Sequence, residues 1–231
     1  MDTPQPQPQH TNRQYEEDLR ALRAGLLKMG GLVERQIAEA VESLVERDSG
    51  HARAVIKNDE EVNRWDVAND EQCIRLLALH QPTASDLRFI TTGLKITTDL
   101  ERIGDNAVNI CERALELNEV PQLKPYVDLP RMAEIAQSMV KDSIDAFMRG
   151  DVDLAQRVIE RDDEVDLLNY QIYRELLSYM AEDPHTIGAA TRLLFVSKYL
   201  ERIADHGTNI AEMVMFMVNG KVVRHMDKKQ K

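Results

Sequence analysis

Two stretches one hundred residues apart carry almost the same six residues, Leu100-Glu101-Arg102-Ile103-Gly104-Asp105 and Leu200-Glu201-Arg202-Ile203-Ala204-Asp205. The match continues through Asn109/Asn209, Ile110/Ile210 and Glu112/Glu212, giving eight identities in thirteen positions. Upstream the relation persists at an offset of 103, where Val55-Ile56 pairs with Val158-Ile159, Asp59 with Asp162, and Glu61-Val62 with Glu164-Val165. Met29 with Met132 and Val41 with Ile144 extend it further back. A chain built from two copies of one unit must fold each copy into the same supersecondary arrangement. The three-residue change of offset predicts one shortened connection, Ala181-Glu182-Asp183-Pro184 standing for Leu79-His80-Gln81-Pro82-Thr83.

The type of unit follows from periodicity. Ile96, Leu100, Ile103, Ala107, Ile110 and Ala114 recur every three or four residues, as do Val196, Leu200, Ile203, Gly207, Ile210 and Val214. Such spacing gives each stretch one apolar helical stripe. Aromatic residues are only 5% of the chain, which further disfavours strands. Six helices are expected near 14–48, 52–80, 83–118, 130–149, 152–181 and 185–219. Gly50 and Gly150-Asp151 break helices, Thr83 is placed as an N-cap, and Pro121 to Pro130 forms a central linker. Gly30-Gly31 lies inside the first helix, costs about 1 kcal/mol per glycine relative to alanine, and predicts a bend or close packing. The fold class is therefore all-α, six long helices forming two pseudo-symmetric antiparallel three-helix bundles. The units run 14–120 and 130–220, joined by 121–129, with a disordered lead at 1–13 and a flexible tail at 221–231.

A formal charge of −11 and a pI near 5.1 argue against nucleic acid as a partner. No segment reaches the roughly 20 apolar residues needed to span a bilayer. Cys73 and Cys111 match no zinc or redox spacing and read as core residues of a reduced, cytoplasmic compartment. Trp65 follows Val62 by one turn and reads as core or helix interface. Met213 to Val218 could be core, dimer seam or docking patch. The histidines share no spacing and are assigned no chemistry.

Glu101 and Asp105 share a helix face, as do Glu201 and Asp205, and like charges four residues apart cost a helix about 0.2–0.5 kcal/mol. On the preceding helix Asp59, Asn63 and Asp66 fall on one face, and Asp162, Asp166 and Asn169 repeat the pattern. Two readings stay open. Arg102 and Arg202, each three residues before an Asp, could neutralise the acids within the helix. Alternatively, facing stripes of carboxylate and amide oxygen could hold a hard cation such as Mg²⁺, Mn²⁺ or iron. The candidate metal ligands are Glu101, Asp105, Glu201 and Asp205, with Asp59, Asp66, Asp162 and Asp166 as further members.

Those duplicated motifs, together with Gln81-Pro82-Thr83-Ala84-Ser85-Asp86-Leu87-Arg88 and Lys28-Met29-Gly30-Gly31, resemble the PhoU family from about residue 15 to 225. The resemblance implies a homodimeric cytoplasmic regulator that couples a phosphate ABC transporter, through its ATPase subunit, to a sensor histidine kinase. It would be recruited to the inner membrane face through these partners and repress the phosphate-starvation response. It also implies that the E-x-x-x-D pairs Glu101/Asp105 and Glu201/Asp205 can bind metal clusters. No nucleophile-plus-base pair or glycine-rich phosphate loop marks an enzyme, and no organic cofactor is expected. A carboxylate-bridged metalloenzyme and a plain helical scaffold are the rival readings.

Overall fold

A computed structural model describes residues 13–220. The chain forms α1 (Arg13–Val45), α2 (Ser49–Leu79), α3 (Ala84–Asn118), α4 (Asp128–Arg149), α5 (Val152–Glu160), α6 (Asp162–Glu182) and α7 (Ile187–Asn219), with a 3₁₀ turn at Pro184–Thr186 before α7. No strand occurs among the described residues. The expected lead, apart from Arg13 at the start of α1, and the expected tail lie outside the described residues.

Helices α1, α2 and α3 pack on one another, as do α4, the α5–α6 rod and α7. The two bundles meet where α3 lies along α7 and α1 along α4, so a single apolar core runs through both. The seam residues Ile96, Leu100, Ile103 and Ile110, and Val196, Leu200, Ile203 and Ile210, are fully buried. Each such side chain contributes about 1.5–3 kcal/mol relative to an exposed one.

The repeat extends to the turns. Asp48 caps α2, accepting from the backbone N–H groups of Gly50 and His51 at 2.8 and 2.9 Å, and Asp151 caps α5, accepting from Leu154 N–H at 2.9 Å. These two aspartates are repeat partners. So are Arg47 and Gly150, which both adopt left-handed backbone at φ 57 and 64. The first helix thus ends at Val45, ahead of the left-handed turn at Arg47, and Gly50 sits in the first turn of α2. Arg47 offsets its backbone cost by donating to the carbonyls of Leu117, Asn118 and Val120 at the end of α3.

The fifth expected helix is interrupted. Arg161 N–H is shared between the carbonyls of Arg157 and Val158, and Arg161 C=O accepts from Glu164 N–H at 3.0 Å, a tightened turn that separates α5 from α6. The acidic run Asp162-Asp163-Glu164 then opens α6, where negative charge favours a helix N-terminus. Helix α4 begins two residues earlier than expected, at Asp128, with Pro130 in its first turn, where its missing N–H costs nothing. Thr83 holds the N-cap position of α3 but bonds Asp86 Oδ2 rather than the backbone.

Helix α1 is continuous through Gly30-Gly31. A Cβ at Gly30 would lie 3.4 Å from Ile144, so Gly30 marks close packing of α1 on α4, whereas a Cβ at Gly31 would meet nothing within 4 Å. Trp65 packs against the core, and both cysteines are buried and free, their thiols pushed up to about 12 by burial. Met213 and Val214 are buried, Met215 and Met217 pack against the core, and Val218 at the end of the methionine-rich segment is exposed. Because Gly150 needs left-handed backbone, Gly150→Ala should lower unfolding free energy by about 1–2 kcal/mol, read by chemical denaturation.

Candidate functional site

The first acidic ridge is set by a close approach of α2 to α3. Gly104 has no side chain, and a Cβ there would come within 3.0 Å of Asp59 Oδ1 and 3.2 Å of Gln36 Oε1. Asp59 is buried against this gap. Its Oδ1 accepts from Gln36 Nε2 at 3.1 Å and its Oδ2 from Asn63 Nδ2 at 3.0 Å. Flanking it are Asp66 on α2 and Glu101 and Asp105 on α3, which the structure brings together as expected. Sequence reasoning missed Gln36, which arrives from α1, and Asp70, which continues the α2 stripe by one further turn. Asp70 Oδ1 is buried without a hydrogen-bond partner.

The carboxylates sense one another. Burial, then Asp105, Asp66 and Asp59, push Glu101 above its ordinary pKa, with Arg102 opposing. Burial, then Asp59, raise Asp105, again against Arg102. Asp66 is raised by burial and by Asp70. Arg102 forms no ion pair with Asp105, nor Arg202 with Asp205, so the intrahelical pairing allowed by sequence is not what holds these acids.

The second ridge repeats the plan with a difference. Asp166 on α6 stands beside Glu201 and Asp205 on α7, and Asp162 at the start of α6 meets α7 at Thr208. Asp205 is raised by burial, by Glu201 and by Asp166, and lowered by Lys198 and His206. Thr208 Oγ1 donates to Asp162 Oδ1 at 3.4 Å. Lys198 pairs with Glu201, whereas its repeat partner is the uncharged Thr98. One ridge therefore carries its own cation and the other does not.

The all-oxygen donor set suits a hard cation. Among the described residues, however, no three His, Cys, Asp or Glu side chains converge closely enough to hold a metal ion. The carboxylates fit as facing pairs whose remaining ligands would be water. Two histidines have structural roles. His206 Nδ1 lies 2.8 Å from Asp99 Oδ1 and ties α7 to α3. His80 Nε2 lies 3.0 Å from Asp18 Oδ2, and that contact holds the Asp18 carboxyl below its ordinary value. Neither partnership has a signal in sequence spacing.

The model of the PhoU domain matches residues 26–114 and 129–214, one match per bundle. The chain belongs to the PhoU family. Over 222 residues it is 43% identical to the phosphate-specific transport system accessory protein PhoU homolog of Pseudomonas putida, covering 96% of this chain and 87% of that one. The crystal structure of PhoU from Pseudomonas aeruginosa superimposes with a TM-score of 0.86 at 42% identity, covering 90% of this chain and 100% of that chain. The phosphate transport system regulatory protein PhoU from Streptococcus pneumoniae gives a TM-score of 0.83 at 28% identity, over 90% and 99% of the two chains.

A carboxylate whose folded-state pKa is raised binds more protons folded than unfolded, so stability falls as pH rises through the interval between the two values. The cost is fully present above both. Glu101→Gln or Asp105→Asn should thus stabilise this PhoU-family chain at pH 7, with the like-charge contribution worth about 0.2–0.5 kcal/mol. Thermal melts should show the gain shrinking towards about pH 4, where the acids are protonated.

Proposed function

We propose that this chain is a non-enzymatic accessory regulator of a phosphate-specific transport system, repressing the phosphate-starvation response when phosphate is plentiful. It couples the transporter's ATPase subunit to a sensor histidine kinase from the cytoplasmic side of the membrane and works as a homodimer. The observation that carries this is full-length similarity, in both bundles, to proteins named for phosphate-specific transport. No helix among the described residues is long and apolar enough to cross a membrane, which suits a protein that acts through membrane-bound partners. Exposed Leu167, Tyr170, Tyr173 and Phe195 on the outer face of α6 and α7 offer apolar surface for association.

The acidic ridges are the part of this reading that touches cations. Glu101 and Asp105, with Asp59 and Asp66 opposite, and Glu201 and Asp205, with Asp162 and Asp166 opposite, would bind Mg²⁺, Mn²⁺ or iron. A bound cation would offset the burial and the like-charge repulsion that raise Asp66, Glu101, Asp105 and Asp205. The ridge without a lysine gains more.

One genetic experiment tests both parts. Deletion of the gene in its source bacterium should derepress a phosphatase reporter in high phosphate, and the wild-type chain should restore repression. The variant Glu101→Gln with Asp105→Asn should lose metal by elemental analysis after mild purification. A reporter that stays repressed without the protein overturns the regulatory reading. Unchanged metal content in the variant overturns the ridge assignment.

A further inference from the structure

Four helix ends meet at one corner of the molecule. The N-terminal turns of α1 and α3 lie beside the C-terminal turns of α4 and α7, around a cleft of about 640 Å³. Arg20 and Arg23 of α1, Arg88 of α3 and Arg149 of α4 line it. Its floor is apolar, with Phe89 and Phe147 stacked at 4.7 Å between ring centroids. In a chain of net charge −11, four guanidinium groups around one cleft run against the overall field.

Two of these arginines are positioned by the fold. The Arg23 guanidinium lies 4.3 Å above the Phe89 ring and donates through Nη1 to Met148 C=O at 3.4 Å. Arg88 donates through Nε to Met217 C=O at 2.9 Å, so it also satisfies a carbonyl at the end of α7. Each is thereby held by one edge of its planar fork. No described residue accepts from the remaining N–H groups of Arg23 or Arg88, or from any of Arg20's, and none of the three is ion-paired to a described carboxylate.

The repeat supplies an internal comparison. At the related corner, where α1 and α3 end and α4 and α7 begin, Arg113 and Arg192 both pair with Glu116 at 2.8 and 2.5 Å. There the fold neutralises its own arginines. At the first corner Glu16 and Asp86 also line the cleft, and Asp86 accepts from Tyr15 OH at 2.9 Å. Arg149 pairs with Asp145 at 3.9 Å, so the two lining carboxylates stand against three further guanidinium groups and the cleft stays positive. The planar arginine fork matches the oxygens of a phosphoryl group, and an apolar floor beneath it can take a base.

We propose that this cleft binds a phosphoryl anion, whose sources are free inorganic phosphate or the phosphate chain of a nucleotide. The site is distinct from the acidic ridges and does not rest on the regulatory role, because binding is read on the purified chain alone.

The test is calorimetric titration of the full chain with inorganic phosphate and, separately, with ATP, both under chelation of divalent cations. Arg20 makes no hydrogen bond or ion pair among the described residues, so Arg20→Ala is the variant that perturbs the fold least. Arg88→Ala is the second, with a thermal melt to show that losing the Met217 contact has not unfolded it. Saturable binding that weakens about tenfold in Arg20→Ala, and less in Arg20→Lys, is the expected result. Displacement of ATP by inorganic phosphate identifies the free anion as the ligand, and ATP binding that phosphate fails to displace identifies the nucleotide. Absence of saturable binding by either at millimolar concentration, or equal affinity in wild type and Arg20→Ala, overturns the proposal.

Discussion

The seam between α3 and α7 governs the rest of the molecule. Each helix offers a stripe that steps by three and four and is fully buried, so the two repeats are not beads on a string but halves of one core. Burying both stripes fixes the rotation of each helix about its own axis. That rotation in turn places Glu101 and Asp105, and Glu201 and Asp205, on the flank of the seam, beside α2 and α6 respectively. Glu101 and Glu201 are therefore half withdrawn from water, and Asp105 and Asp205 sit at the exposed edge of the same packing, which was driven by their apolar neighbours. Desolvation stands first among the causes that raise Glu101, Asp105 and Asp205 for this reason.

A ridge of raised carboxylates stores unfavourable charge, and the two halves dispose of it differently. In the second bundle Lys198 stands one turn before Glu201 and relieves it from within. In the first bundle nothing equivalent exists, and Gln36 and Asn63 spend their amide donors on Asp59 alone. The buried, unpartnered Oδ1 of Asp70 adds to the imbalance. A duplicated scaffold has thus kept its geometry while its two faces have become electrostatically unlike. The arginine corner shows the same divergence with opposite sign, since one corner pairs its arginines with Glu116 and the other leaves three without a carboxylate.

Much of this was legible in the chain because helices with one buried face write their period into the sequence. Leu100, Ile103 and Ile110 announce a buried face on α3, though not that α7 lies along it, and the offset repeat announces the second bundle. The acids four residues apart could be placed on a common face for the same reason. What stayed hidden depends on contacts between helices distant in sequence. Gln36 reaches Asp59 from α1, His80 finds Asp18 sixty-two residues away, and the arginine cleft assembles Arg20, Arg23, Arg88 and Arg149 from three helices with no common spacing. The break at Arg161 escaped notice because no glycine or proline marks it. Arg47 takes a left-handed turn that sequence rules give to glycine, and its carbonyl contacts at the end of α3 explain why it can.

The claim on which the account turns is that apolar packing along α3 and α7 forces the neighbouring acids into mutual, partly desolvated proximity. Carbon-detected NMR titration of the Asp105 and Asp205 side-chain carboxyls, without divalent cations, measures that directly. Both should titrate above the ordinary aspartate range. Values at or below that range for both residues would contradict the account.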